Sequence, residues 1–325
     1  VINLFHKSTS GIAPLNIVAG ETVPDGTLWI DIMNPTLEEE RSIENQLKIA
    51  IPSKEEVWKN EVLNRFYNES GVSYMTAALI TKVDSPYPQT SAVTFILTQK
   101  CLVTIRYINP TSFHNFSERM MRRPHQFSNG AEVMEGLLEE IITRVAHNSE
   151  VIVQELDSLS HNIFGFNSAG STRANPSQMM QDVLRRLGTS NDLNSKINES
   201  LHSLQRLLSY FREVQSSGKE LGHAIRTLYT DVQALTKQTD FLADKIIFQM
   251  DATLGMINVE QNMIIKIFSV VAVFFLPPTL VSSIYGMNFR DMPELTWQFG
   301  YPIAVGFMVM CAVVPFLYFR KKGWL

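Results

Sequence analysis

Two uncharged stretches near the end of the chain, Ile267 to Phe289 and Leu295 to Phe319, limit its architecture more than any other feature. A hydrocarbon core about 30 Å thick is crossed by roughly 20 apolar helical residues. These runs of 23 and 25 residues exceed that length. A short polar hairpin after Tyr285-Gly286-Met287-Asn288 separates them, and everything before them reads as soluble protein. A large soluble body joined to only two spans is expected to sense on one side of a membrane and to conduct or signal across it.

Flanking charges predict the orientation. Arg320, Lys321 and Lys322 follow the second span and Lys266 precedes the first, whereas the hairpin sets Arg290 against Asp291 and Glu294. Positive residues stay on the cytoplasmic side, so both termini are expected inside, in a multi-pass protein of the inner (plasma) membrane. Trp297, Phe299 and Tyr301 would then sit at the outer interface, and Tyr318, Phe319 and Trp324 at the inner one. The chain starts at Val1 without a basic segment and apolar stretch, so no cleavable signal is expected and the missing Met reads as a processed start.

Several function classes drop out. The net charge of −4 is small and mixed in sign, and no Lys/Arg stripe interleaves with aromatics, so no nucleic-acid partner is expected. Cys101 and Cys311 are the only cysteines, which excludes a disulfide framework or thiolate metal site and suits a reducing cytoplasm. The seven histidines, His6, His114, His125, His147, His161, His202 and His223, show no ligand spacing. Without a phosphate-binding Gly-rich loop, an HExxH or a nucleophile elbow, an enzyme has no residues to carry it and no organic cofactor is expected.

The expected fold is an α+β membrane protein. Residues 1–130 form a cytoplasmic α/β domain, with β-rich runs at Leu28 to Ile32, Tyr74 to Val83, Ala92 to Leu97 and Cys101 to Ile108. A helix over Pro35 to Ile49 starts with Pro and crowds Glu38, Glu39 and Glu40 at the positive end of its dipole. Long helices follow over residues 131–216, broken by the Gly/Ser/Asn-rich Gly165 to Pro176. A stalk helix over 217–266 leads into transmembrane helix 1 (267–289), a loop (290–294), transmembrane helix 2 (295–319) and a basic tail (320–325). In the stalk, Leu221, Ile225, Leu228, Val232, Leu235, Thr239, Leu242 and Ile246 step by alternating four and three, a heptad seam. It packs either on the chain's own helices or on another copy. Gly255 alone interrupts the pattern between Gly222 and Pro277, so one helix of about 95 Å is expected from Leu221 to Ile284.

Two helices cannot enclose a channel, so conduction requires several copies around one axis. Stepping back from Ser283 by the same alternation gives Thr279, Leu276, Ala272, Ser269, Ile265, Asn262, Asn258, Gly255 and Asp251, a line holding most polar side chains in and just below the first span. Ile267, Val271, Phe274 and Phe275 fit a lipid-facing side. The hydroxyls of Ser269, Thr279 and Ser283 either line a pore or merely bond the carbonyl four residues back. Pro277 and Pro278 free carbonyls near Val273 and Phe274, which shapes either a constriction or a packing kink. Beyond them Gly286 lets the backbone turn, and Asn288 offers a neutral oxygen to water in an ion's hydration shell. Mg²⁺ dehydrates reluctantly, so contact through its waters selects it without trapping it.

This stretch resembles the CorA family of divalent-cation channels, whose Gly-Met-Asn signature stands as Gly286, Met287 and Asn288. Asn262, Ile264 to Phe268 with Lys266, Pro277, Thr279, Tyr285, Phe289, Met292-Pro293-Glu294-Leu295, Gly300-Tyr301-Pro302 and Lys322-Gly323-Trp324-Leu325 strengthen the match. The resemblance implies a funnel-shaped homopentamer, embedded in membrane lipid, that moves Mg²⁺ and possesses cytoplasmic α/β domains. It puts the selectivity filter on Gly286, Met287 and Asn288, polar rings on Asn262 and Thr279, and an apolar gate on Ile265, Phe268, Ala272 and Leu276. Phe268 is off the four-three line, which selects Ser269; both are retained. Lys266, Lys321 and Lys322 would form a basic collar, and Asp291 and Glu294 would concentrate cations outside.

In such proteins cytoplasmic Mg²⁺ bridges carboxylates between subunits, and its loss lets them repel. Thr227 stands where the family's stalk carboxylate would align, leaving Asp231, Asp240 and Asp244 as regulatory-metal candidates or as a merely solvated face. Arg290 likewise occupies a place often acidic in relatives. The alternatives are transport of Zn²⁺, Co²⁺ or Ni²⁺ within the same superfamily, against which Met287 favours Mg²⁺, and a two-span receptor.

Overall fold

The computed structural model describes residues 1–8, 11–55, 66–83, 85, 88–164, 176–215, 219–287, 292 and 297–323. They form two compact units, Val1–Asp251 and Ala252–Leu325.

The first unit is built on a sheet of β1 (Ile2–Ser8), β2 (Gly11–Ile17), β3 (Thr27–Met33), β4 (Phe66–Glu69), β5 (Val72–Thr81), β6 (Gln89–Leu97) and β7 (Leu102–Arg106). Their order is β2-β1-β3-β7-β6-β5-β4. Only β3 and β7 are parallel, pairing Asp31 with Thr104 and Met33 with Arg106. The sequence pattern finds β3, β5, β6 and β7, whose apolar residues are continuous. It misses β1, β2 and β4. Pro14 and Asn16 disguise β2, yet β2 is an edge strand, where a missing N–H is tolerated. In β4, Tyr67, Asn68 and Glu69 are exposed, so no apolar face announces it.

Helix α1 (Leu37–Leu47) begins one residue after a reciprocal cap. The Glu39 N–H donates to Thr36 Oγ1 at 3.3 Å, and the Thr36 N–H donates to Glu39 Oε2 at 2.9 Å. Two orphan donors are thereby satisfied, which places the helix start after Pro35. One sheet face, with Ile30, Ile32, Val103 and Ile105, buries Ile43 of α1 in a common cluster. On the other, Trp29 stacks on Phe5 at 4.6 Å and meets Phe116 of α2 (Thr111–Arg122) edge-on at 5.4 Å.

Helix α3 (Gly130–Phe164) starts against the backbone that opens β7. A Cβ on Gly130 would stand 2.5 Å from the Cys101 carbonyl carbon and 2.6 Å from the Leu102 nitrogen. Backbone cannot yield there as a side chain would, so Gly130→Ala is expected to lower stability by about 1–3 kcal/mol, seen as a reduced urea midpoint.

Half-buried Glu135 on α3 has its carboxyl pKa raised above 4.5, first by burial and then by Glu139, against the pull of Arg119. The folded state therefore holds this proton more tightly than the unfolded chain. Its contribution favours folding at low pH and is lost as pH rises from about 4.5 through the raised folded value. Glu135→Gln is expected to flatten that part of a stability-against-pH curve and to raise the melting temperature at pH 7.

Helix α4 (Pro176–Val214) covers the edge of β5 beyond the end of short β4. The Ala78 N–H donates to Ser203 Oγ at 2.7 Å, and Ser200 Oγ donates to the Ala78 carbonyl at 2.8 Å. Two serines one turn apart thus satisfy a strand edge that would otherwise stay open. Helix α5 (Lys219–Tyr285) follows as one element that runs through Pro277 and Pro278.

Along α5 the seam residues Ile225, Leu228, Val232, Thr239, Leu242 and Ile246 are buried. Asn194 Nδ2 donates to the Thr239 carbonyl at 2.9 Å, Asn198 Nδ2 to Thr239 Oγ1 at 3.0 Å, and Gln249 Nε2 to the Leu156 carbonyl at 2.9 Å. The seam therefore packs on α3 and α4 of its own chain, which decides between the two expectations for it. In the second unit the remaining part of α5 is joined by α6 (Gly300–Lys321). The Gly300 N–H donates to the Trp297 carbonyl at 2.9 Å, so the second apolar run enters its helix through a turn.

Candidate ion-conducting site

The line read from the first span lies on a free face of α5. Asn258, Asn262, Ile265, Ser269, Leu276, Thr279 and Ser283 are all exposed, and Ala272 is half-buried. Phe268, off the line, is 71% exposed. The opposite side of the helix holds Val270, Phe274, Pro277, Val281 and Tyr285, each buried or half-buried. At about 100° per residue these two sets lie on nearly opposite sides of the cylinder. The second set meets α6: Phe274 lies 6.3 Å from Phe316 and 6.5 Å from Phe319.

This corrects one expectation. Phe274 does not face lipid; it packs on the second span, whereas Ile267, Val271 and Phe275 remain exposed. The matching side of α6, Gly300, Ala304, Met308, Cys311, Pro315 and Phe319, went unread in the sequence. Gly300 and Ala304 are its buried members, and small residues four apart are the available signal for close helix approach.

The hydroxyls do what the plainer reading anticipated. Ser269 Oγ donates to the Ile265 carbonyl at 2.8 Å and Thr279 Oγ1 to the Phe275 carbonyl at 2.6 Å. Ser283 makes no such bond among the described residues. Back-bonding leaves the hydroxyl lone pairs directed away from the helix. A face of such acceptors suits a hydrated cation, whose water protons point outward.

At its end α5 closes with the Gly286 N–H donating to the Ser282 carbonyl at 3.0 Å and the Met287 N–H to the Ile284 carbonyl at 3.2 Å. Gly286 does not adopt a positive φ. Space is tight there: an added Cβ would stand 3.2 Å from the Ser282 carbonyl oxygen, which would have to yield by a few tenths of an ångström. Gly286→Val is therefore expected to disturb this carbonyl and to reduce ion flux several-fold while assembly survives, measured by tracer uptake and gel filtration. Asn288, Asp291 and Glu294 lie outside the described residues, as do Phe289, Arg290 and Trp324.

Lys321 and Lys322 are exposed at the end of α6, with Lys322 Nζ 5.6 Å from the Tyr318 ring centre. Because Phe274 meets Phe316 and Phe319, half-exposed Lys266, two turns before Phe274, belongs to the same end of the helix pair. The three aspartates are not brought together. Asp240 and Asp244 share a face of α5, but Asp231, nine residues before Asp240, lies about half a turn away. Asp240 Oδ1 accepts from Asn198 Nδ2 at 3.0 Å. Among the described residues no three His, Cys, Asp or Glu side chains cluster to hold a metal.

Both α5 and α6 are long and apolar enough to cross a membrane. The model of the CorA-like Mg²⁺ transporter proteins matches residues 24–321. The chain belongs to the CorA-like Mg²⁺ transporter family. The "Magnesium transport protein CorA" of Escherichia coli strain K12 is 32% identical over 326 residues, covering all of both chains. That of Haemophilus ducreyi is 33% identical over 309 residues, 94% of this chain and 95% of its own. The complete structure of a CorA magnesium transporter from Methanocaldococcus jannaschii shares the fold, with a TM-score of 0.78, 19% identity, and 100% and 99% of the two chains covered. The CorA family is one of transporters rather than enzymes, and its α/β domain, long helix and paired spans are all present in this chain.

Proposed function

We propose that this chain is the subunit of a homopentameric channel passing Mg²⁺ with its water shell across the inner membrane, both termini cytoplasmic. One observation carries this reading: the exposed acceptor line on α5, opposite the side that α6 occupies. A single subunit leaves that face without a partner, and several copies around an axis convert it into a pore lined by Asn258, Asn262, Ser269, Thr279 and Ser283. Ile265, Phe268, Ala272 and Leu276 form the apolar constriction, and Gly286, Met287 and Asn288 meet the hydrated ion at the outer mouth. Asp291 and Glu294 gather cations before it, while Lys266, Lys321 and Lys322 ring the inner end. The magnesium transport proteins to which the chain is similar support Mg²⁺ as the transported substrate.

Regulation is assigned to cytoplasmic Mg²⁺ held between subunits by Asp231, Asp240 and Asp244. Their separation round α5 supports ligand sets completed by a neighbouring copy rather than within one chain. With D231N, D240N and D244N combined, currents are expected to lose inhibition by internal Mg²⁺; full inhibition in this variant would remove these residues from the mechanism. The function itself is tested with purified protein in liposomes containing a Mg²⁺-sensitive dye, in parallel with Co²⁺, Ni²⁺ and Zn²⁺. Saturable Mg²⁺ influx is expected. Intact oligomers without flux would favour a receptor, and Zn²⁺ flux exceeding that of Mg²⁺ would transfer the chain to the zinc branch of the superfamily.

A further inference from the structure

A cavity of about 250 Å³ lies in the first unit, far along the chain from the residues discussed above. It is bordered by the end of β5, the start of α2 and the middle of α3, and its polar lining includes Lys82, Asn109, Thr111, Ser112, Arg144 and Asn148. We propose that it binds a small phosphate-type oxyanion.

Three observations converge. First, α2 is a twelve-residue helix whose N-cap is Pro110, with no side-chain cap and no acidic residue in its first turn. Its uncapped amides and dipole present positive potential to the cavity. Second, Arg144 and Lys82 both line the space, and neither makes an ion pair among the described residues. No carboxylate lines it among the described residues, although Asp84, two residues beyond Lys82, lies outside them.

Third, Asn148 is 2% exposed and lines the cavity, yet its Nδ2 donor has no hydrogen-bond partner among the described residues. A buried donor left unmade is costly, and a ligand oxygen would satisfy it. The Asn109 amide oxygen already accepts from Arg106 Nη1 at 2.8 Å, so its nitrogen is the atom left to donate. The polar side chains thus identified comprise two cations, two amides and two hydroxyls, each with a group able to donate and none of them a carboxylate. That chemistry recognises an anion rich in acceptors, and a guanidinium matches tetrahedral oxyanions by two-point contact. The volume is below the range usual for drug-sized ligands, which fits inorganic phosphate or a small phosphate ester.

The test is calorimetric titration of the full chain in detergent with inorganic phosphate, in Mg²⁺-free chloride buffer, with sulfate and acetate in parallel. Saturable phosphate binding is expected, with sulfate competing for it. Arg144→Gln should weaken the affinity at least tenfold. Asn148→Leu should weaken it several-fold while raising the melting temperature of phosphate-free protein, because a buried unpaired donor is removed. Phosphate should raise the melting temperature of the unaltered chain and not that of Arg144→Gln. Absence of saturable phosphate and sulfate binding, binding of acetate alone, or an affinity unchanged by Arg144→Gln would overturn the proposal. If Asn148→Leu does not fold, the combined Lys82→Gln and Arg144→Gln variant decides in its place.

Discussion

Ion flux through reconstituted protein is expected to fall about tenfold to a hundredfold when Asn288 is replaced by leucine. In the proposed channel the side-chain oxygens of this residue accept from water held by the ion. A hydrogen bond to a charged partner contributes about 1.5–3 kcal/mol, and each 1.36 kcal/mol corresponds to a factor of ten in rate. Leucine keeps the branched shape and removes the acceptor. Asn288→Asp is expected to fail differently: a ring of carboxylates binds the divalent ion too firmly to release it, so flux falls while Mg²⁺ competes better against other cations. Uptake of Mg²⁺ by liposomes, with gel filtration to verify assembly, measures both. Wild-type flux and ion preference in a properly assembled Asn288→Leu protein would sink the proposed filter.

The second large effect concerns stability. Asp31 and Arg106 are 3% and 5% exposed and lie diagonally across the parallel β3–β7 pair, Arg106 two residues beyond Asp31's partner Thr104. Asp31 accepts from Arg106 Nη2 at 2.8 Å, from Arg106 Nε at 3.0 Å and from Thr104 Oγ1 at 2.9 Å. Thr104 in turn accepts from Trp29 Nε1 at 3.0 Å, so the network is anchored in the aromatic core. Arg106→Met strands a carboxylate where water cannot reach it, and the expected loss is about 3–5 kcal/mol. Against a total stability of about 5–15 kcal/mol this is severe. Adding Asp31→Leu should recover much of the loss, because the isolated charge, rather than the missing pair, dominates the cost. Urea unfolding followed by tryptophan fluorescence reads both variants, and a double variant worse than Arg106→Met would contradict the reasoning.

The sites most legible from sequence are those where periodicity speaks directly. The line from Asn258 to Ser283 is a helical repeat, and each helical turn restates it, so its exposed face could be drawn before any packing was known. The same holds for the seam from Ile225 to Ile246, whose spacing identified a buried stripe without naming its partner. Phe274 illustrates the limit. Its neighbours Val273 and Phe275 are equally apolar, and in lipid a hydrophobic side chain signals neither lipid nor a second helix. Only the approach of Phe316 and Phe319 separates the two. Strands β1, β2 and β4 were illegible for another reason: β2 and β4 lie at the sheet edges, where composition need not be apolar, and internal β1 mixes Asn3, His6 and Lys7 into its short apolar run.

The aspartates make the opposite case. Asp231, Asp240 and Asp244 looked equivalent on a charged face, but α5 turns Asp231 away and Asn198 of α4 engages Asp240. Nothing in the linear order of residues contains that hydrogen bond. The cavity beside Asn148 is of the same kind, since Lys82, Thr111 and Arg144 are separated by more than twenty residues and converge only in the folded unit.

By itself, then, the order of residues determined the helices long enough to span a bilayer, the polar line on the first of them, and the Gly-Met-Asn that ends it. These are local or periodic properties, settled within a few helical turns by hydrophobicity and backbone geometry. Which helix buries the seam, which serines close the β5 edge, where Phe274 packs and which donors surround the cavity were decided by tertiary contact. Such pairings depend on residues distant in the chain, whose approach is selected by the whole packed core rather than by any segment of it.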